Sequence, residues 1–123
     1  MQTNTRPDWE TYFKGIAKAV SLRASCPRAK VGAVIVSQDN RILSTGFNGA
    51  LARERDCLTY GCAVVDDHCQ RAVHAEVNAV AYAARNGVKL EGATLYLYSS
   101  RGDGVCRECL KILSAVKVKV YQS

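Results

Sequence analysis

No stretch of about 18 consecutive apolar residues occurs in the chain, which leaves no helix able to span a membrane. The opening run Met1-Gln2-Thr3-Asn4-Thr5-Arg6 lacks the apolar core of a secretory signal, so a cytoplasmic location is expected. There is no internal repeat, low-complexity tract or linker, and 123 residues point to one domain over 1–123. Histidine is scarce, with only His68 and His74. Aromatics are few and not interleaved with the basic residues, so no platform for stacking single-stranded nucleic acid is visible. Lys and Arg outnumber Asp and Glu by 17 to 11, a net +6, but they are scattered like a solvated surface. Apolar residues make up 48% and recur in periodic runs, which argues against disorder.

Cysteine is plentiful: Cys26, Cys57, Cys62, Cys69, Cys106 and Cys109, interleaved with the two histidines. With no secretory signal and enough chain to fill a core, such a grouping reads as metal binding before disulfides.

Asp8 caps an expected helix whose apolar positions Trp9, Phe13, Ile16, Ala17, Val20 and Ala24 share one face, with Pro27 beyond its end. Lys30 to Ser37 and Arg41 to Phe47 read as a hairpin turning at Asp39-Asn40. From Asn48 to Gln70 no period holds, and a long loop is expected. Arg71 to Arg85 reads as a buried helix closed by Asn86-Gly87, Thr94 to Tyr98 as a strand, Cys106 to Ser114 as a helix and Val116 to Tyr121 as a strand. The later strand–helix–strand unit implies parallel strands, and the whole an α/β fold, a three-layer α/β/α sheet with helices on both faces.

The chemistry concentrates in His74-Ala75-Glu76 and Cys106-Arg107-Glu108-Cys109, each where a helix begins. One imidazole and two thiolates give zinc three ligands and leave a fourth position open, as a catalytic site requires. Helix amides and dipole favour the thiolate form at such a start. Glu76, two residues after His74, can stand beside a water on that open position and relay its proton. Alone, Cys-x-x-Cys could be a redox pair and His74 a core residue. Together they favour zinc.

His-x-Glu followed by Cys-x-x-Cys is the known signature of zinc nucleobase deaminases. The resemblance extends over nearly the whole chain to the deoxycytidylate (dCMP) deaminases of the cytidine deaminase superfamily. It is carried by Cys26-Pro27-Arg28-Ala29-Lys30-Val31-Gly32-Ala33-Val34-Ile35-Val36, Ser44-Thr45-Gly46-Phe47-Asn48-Gly49, His68-Cys69, Val73-His74-Ala75-Glu76-Val77-Asn78-Ala79 and Glu91-Gly92-Ala93-Thr94-Leu95-Tyr96.

The resemblance implies a cytidine-deaminase-like fold and hydrolysis of dCMP, or a 5-substituted dCMP, to the deoxyuridylate and ammonia. His74, Cys106 and Cys109 would hold the catalytic Zn2+ and Glu76 would shuttle protons. Asn48 would bond the deoxyribose or the base edge, although an Asn-Gly turn also suits Asn for conformational reasons. Arg28 and Lys30 are offered to the 5'-phosphate, or are simply solvated. Arg85 is offered to a subunit contact or the phosphate. Some relatives carry a second, structural zinc; Cys26, Cys57 and His68 match its positions, with Cys62 as fourth ligand and Cys69 in reserve. The alternative is free buried cysteines.

This sequence departs from the family pattern at three places. Val105 replaces the usual Pro, behind the longer loop Ser99-Ser100-Arg101-Gly102-Asp103-Gly104, so the pyrimidine accepted is open. The segment Ala50-Leu51-Ala52-Arg53 lacks the Pro and Gly of regulated members, so control by deoxynucleoside triphosphates does not carry over. Relatives usually continue past the equivalent of Ser123, which leaves an edge strand for a partner copy and a homo-oligomer as the expectation. Two other readings stand beside this one: a deaminase of cytidine, guanine or a tRNA base, and a non-catalytic zinc module that binds nucleic acid.

Overall fold

The computed structural model describes residues 6–25, 29–49, 64–65, 68–69, 74–102 and 104–121. Helix α1 (Trp9–Ser21) begins where the Asp8 carboxylate accepts a hydrogen bond from the Thr11 amide at 2.9 Å, satisfying an amide that has no partner inside the helix. It stops at Ser21, earlier than the reach to Ala24 expected from its apolar face. Leu22, Arg23 and Ala24 donate instead to carbonyls three residues back, a tighter turn that still buries Ala24.

Strands β1 (Val31–Val36) and β2 (Ile42–Phe47) form the expected antiparallel hairpin. Asn40 takes a φ of 64°, a left-handed turn conformation that Asn tolerates. Within the expected loop, β3 (Val64–Val65) and β4 (His68–Cys69) pair antiparallel as a small separate ribbon. Two-residue strands are too short to leave an alternation in the sequence, so this correction could not be read there.

Helix α2 (Ala75–Arg85) is followed by β5 (Thr94–Ser99), α3 (Arg107–Ala115) and β6 (Lys119–Val120). The sheet order is β2-β1-β5-β6. As expected, β5 and β6 run parallel across α3, while β1 runs antiparallel to both β2 and β5, so the sheet is mixed. The last strand is also shorter than Val116 to Tyr121. Lys117, at φ 60°, forms the left-handed end of α3, and Val118 donates to Leu113 to close that turn.

Strand β1 is central and apolar on both sides, which explains its unbroken run of small and β-branched residues. Val34 and Val36 face α1 and pack with Phe13, Ala17 and Tyr96. Ala33 and Ile35 face the other way, onto Ala75, Ala79, Ala83, Leu95 and Leu113. The three layers are those expected. Each fully buried Ile or Leu contributes about 2 kcal/mol by leaving water.

Glycines set the layer spacing. A Cβ on Gly32 would lie 2.7 Å from the Ser21 amide nitrogen, so α1 can rest directly on β1. On the opposite face, a Cβ on Gly46 would lie 2.5 Å from the Ala79 nitrogen and closer still to the Ala75 carbonyl. Helix α2 therefore lies backbone to backbone against β2, and Ser44 secures it by donating its buried hydroxyl to the Ala79 carbonyl at 2.7 Å.

Candidate metal centre

Both α2 and α3 start at residues that are poor caps. His74 and Cys106 occupy the N-cap positions in extended conformation, at φ/ψ of −62°/150° and −75°/165°, and neither side chain bonds its own helix amides. An ordinary Ser or Asp cap at such a position stabilises by about 1 kcal/mol. The fold forgoes that here twice, and both side chains turn instead toward one point.

His74 Nδ1 stands 3.4 Å from the Cys106 sulfur and 3.3 Å from the Cys109 sulfur. All three donor atoms lie within 4.8 Å of one another. A tetrahedral ion with bonds of about 2.3 Å to sulfur and 2.0 Å to nitrogen needs N···S separations of about 3.5 Å. The observed separations are close to that figure. One ring nitrogen can share only one proton, yet two sulfurs converge on it. The donor set therefore fits zinc, with the ligands that the sequence singled out.

Cys109 is buried and Cys106 half-buried, while His74 is exposed. Burial pushes the Cys109 thiol well above its ordinary range, and the nearby Glu76 charge pushes it further. A divalent cation reverses that balance, because a coordinating thiol gives up its proton.

Glu76 is 5% exposed, in the first turn of α2. Burial raises its carboxyl above the usual carboxylate range, opposed by a backbone hydrogen bond and by His74. A buried carboxyl outside the ligand set yet electrostatically linked to Cys109 is suited to holding or releasing a proton.

The turn after β2 closes onto this centre from α2. Asn78 Nδ2 donates to the Phe47 carbonyl at 2.8 Å and to the Gly49 carbonyl at 3.4 Å. Between those residues, Asn48 accepts from the Val31 amide at 2.9 Å and donates to the Ala29 carbonyl at 2.7 Å. Those two bonds use one of its two amide protons and one of two oxygen lone pairs. Lys30 donates its ammonium to the Ala24 carbonyl at 3.2 Å, and its backbone amide donates to the Ser100 hydroxyl. Arg85 is exposed in the last turn of α2, about 16 Å along the axis from His74.

Arg28, Cys26, Cys57 and Cys62 lie outside the described residues, and of His68 and Cys69 only the backbone is described. The sequence reading named Asn78 within its motif without giving it a role. Nothing in periodicity or spacing marks a side-chain amide that bonds to another segment's backbone.

Residues 7–122 match the cytidine and deoxycytidylate deaminase zinc-binding region. The chain is 40% identical over 122 residues to the deoxycytidylate deaminase of Mycobacterium phage D29, covering 90% of each. It is 37% identical over 114 residues to ComE operon protein 2 of Bacillus subtilis, covering 93% of this chain and 58% of that protein. The chain thus spans little more than half the length of that Bacillus relative. Among solved structures, it is similar to the dCMP deaminase of cyanophage S-TIM5 in complex with dCMP and dUMP, with a TM-score of 0.77 and 27% identity over 96% of this chain and 82% of that one. With its fold, donor set and nearly full-length match, the chain belongs to the zinc-binding cytidine and deoxycytidylate deaminase family.

Proposed function

We propose that the protein is a zinc-dependent hydrolase converting dCMP and water to dUMP and ammonia. The observation that carries this reading is the convergence of His74 Nδ1 with two cysteine sulfurs at 3.4 and 3.3 Å beside the buried Glu76. The phage D29 and S-TIM5 relatives named above support the choice of substrate. A 5-substituted dCMP is a further substrate of the same reading, since the loop before Cys106 departs from the family pattern.

His74, Cys106 and Cys109 would hold zinc, which would supply a Lewis acid that activates water for attack on carbon 4. Glu76 takes a proton from that water and delivers it to the adjacent ring nitrogen. It then carries the second proton to the departing amine, so that ammonia leaves and the carbonyl of dUMP remains. Burial raises the Glu76 carboxyl, which makes its carboxylate a stronger base than a solvated one and favours the first half of this relay, the uptake of a proton. Asn48 offers its remaining amide proton and lone pair to the deoxyribose or base edge. Lys30 and Arg28 supply positive charge for the 5'-phosphate.

A second, closed zinc held by Cys26, Cys57, His68 and Cys62 belongs to the same proposal, supported by the grouping of these residues in the sequence. So do a homo-oligomer, supported by the β6 edge, and a cytoplasmic location, where a charged nucleotide substrate is found.

The test is ammonia release by purified protein from dCMP, 5-methyl-dCMP, deoxycytidine, cytidine, guanine and a tRNA substrate. Turnover of dCMP well above deoxycytidine is expected. Equal rates with and without the 5'-phosphate would remove dCMP as the substrate. Salt-dependent nucleic-acid binding with no deamination would turn the reading to a non-catalytic zinc module.

A further inference from the structure

The helix that bears His74 and Glu76 also bears the clamp on the turn at Asn48. His74, the extended N-cap, and Asn78, on the face of α2 toward β2, are four residues apart, about one turn. From that face Asn78 Nδ2 reaches the carbonyls of Phe47 and Gly49, on either side of Asn48. Asn48 then passes the restraint on. Its backbone amide donates to the Val31 carbonyl at 3.2 Å, and its own carbonyl accepts from the Ser25 amide at 3.1 Å. Through its side chain it also holds Ala29 and Val31. Thus one side chain on α2 ties the β2 turn, and through it Ser25, Ala29 and Val31, to the helix that carries His74.

We propose that Asn78 is a positioning residue, which fixes the height of the Asn48 turn above Glu76 and so sets how the nucleotide is held over the metal centre. This rests on the reading of the site given under Proposed function. The physical reason is rigidity. A helix is stiff along its axis, so a ligand and a clamp one turn apart move together. Ser44 provides the contrast. It joins the same strand to the same helix, through the Ala79 carbonyl, but three residues short of the turn's first clamped carbonyl. If Asn78 only satisfied carbonyl groups, removing either link would lower stability and leave the affinity for substrate alone.

The experiment uses the full, zinc-loaded chain with Asn78→Ala, Asn78→Gln and Ser44→Ala. Zinc content, steady-state kinetics on dCMP, and hydrogen exchange at the Asn48 and Ser25 amides are measured for each. In Asn78→Ala, zinc content stays at the wild-type level, KM rises by about tenfold or more and kcat changes by less than about threefold. The two amides exchange faster, because the turn that carries Asn48, donor of one bond and acceptor of the other, is no longer held against α2. Asn78→Gln keeps the donors one methylene farther out and recovers part of both effects. Ser44→Ala loses stability with KM unchanged. A KM and an exchange pattern like wild type in Asn78→Ala, or an equal rise of KM in Ser44→Ala, would overturn the proposal. Should Asn78→Ala not fold, Asn78→Gln is read against the same two criteria. A wild type inert toward dCMP would defeat the substrate reading, and the exchange rates would still decide whether Asn78 holds the turn.

Discussion

Gly46 and Ala75 touch backbone to backbone, with no room for a Cβ between the strand and the first residue of α2. That contact places Glu76, the next residue, and it links the packing of the sheet directly to the chemistry of the centre.

Gly46→Ala forces α2 off the sheet and is expected to cost about 1–3 kcal/mol, as overpacking does. At about 4 °C per kcal/mol, Tm should fall by roughly 4–12 °C, with turnover falling as Glu76 moves. Gly15→Ala is the matched control. Its added methyl meets nothing within 4 Å on an exposed face of α1, so it should raise stability by about 0.5–1 kcal/mol. Thermal melts of the two variants check the pair.

Glu76→Gln keeps the shape of the side chain and removes its capacity to relay protons. Turnover should fall by about 10²–10⁴-fold with zinc content unchanged. Elemental analysis alongside kinetics separates this outcome from simple loss of the metal.

Removing zinc with a chelator should abolish turnover and lower Tm, and adding zinc should restore both, because only the folded chain brings His74, Cys106 and Cys109 together. Two zinc ions per chain are expected. Cys57→Ser should impair stability and solubility more than Cys106→Ser does, while Cys106→Ser should fold without turnover. One ion per chain and a Cys57→Ser variant as stable as wild type would leave only the catalytic centre.

Lys117 carries a φ of 60° at the end of α3, where a side chain is strained and glycine is not. Lys117→Gly should therefore raise stability by about 0.5–1 kcal/mol in equilibrium denaturation. The same change at an αR position would lower it.

At Asp8, hydrogen bonds from Thr11 hold the carboxyl below its ordinary 3.8. A depressed carboxyl stabilises the folded state above its unfolded value, and that contribution disappears as pH falls through the lower folded value. Asp8→Ala should have a lower Tm than wild type at neutral pH. The gap should close progressively below pH 3.8, which melts across a pH series measure.

The His74, Cys106 and Cys109 donor set was legible in the sequence because coordination demands particular atoms. His74, Cys106 and Cys109 could be named from residue type and from their places at helix starts, before any neighbour was known. Helix α1 and strands β1 and β2 were legible for another reason: period and composition record which residues of an element leave water. Neither signal says which strand lies next to which. The antiparallel pairing of β1 with β5, against the parallel pairing of β5 with β6, is visible only in the assembled sheet. The β3–β4 ribbon and the left-handed Lys117 were too local to leave a pattern. The clamp from Asn78 to Phe47 and Gly49 was invisible for a deeper reason, since a side-chain amide bonds to a carbonyl of any residue and imposes no residue type on its partner. Residue identity determined which atoms can converge on a metal, and only the tertiary structure determined what holds the turn at Asn48 against α2.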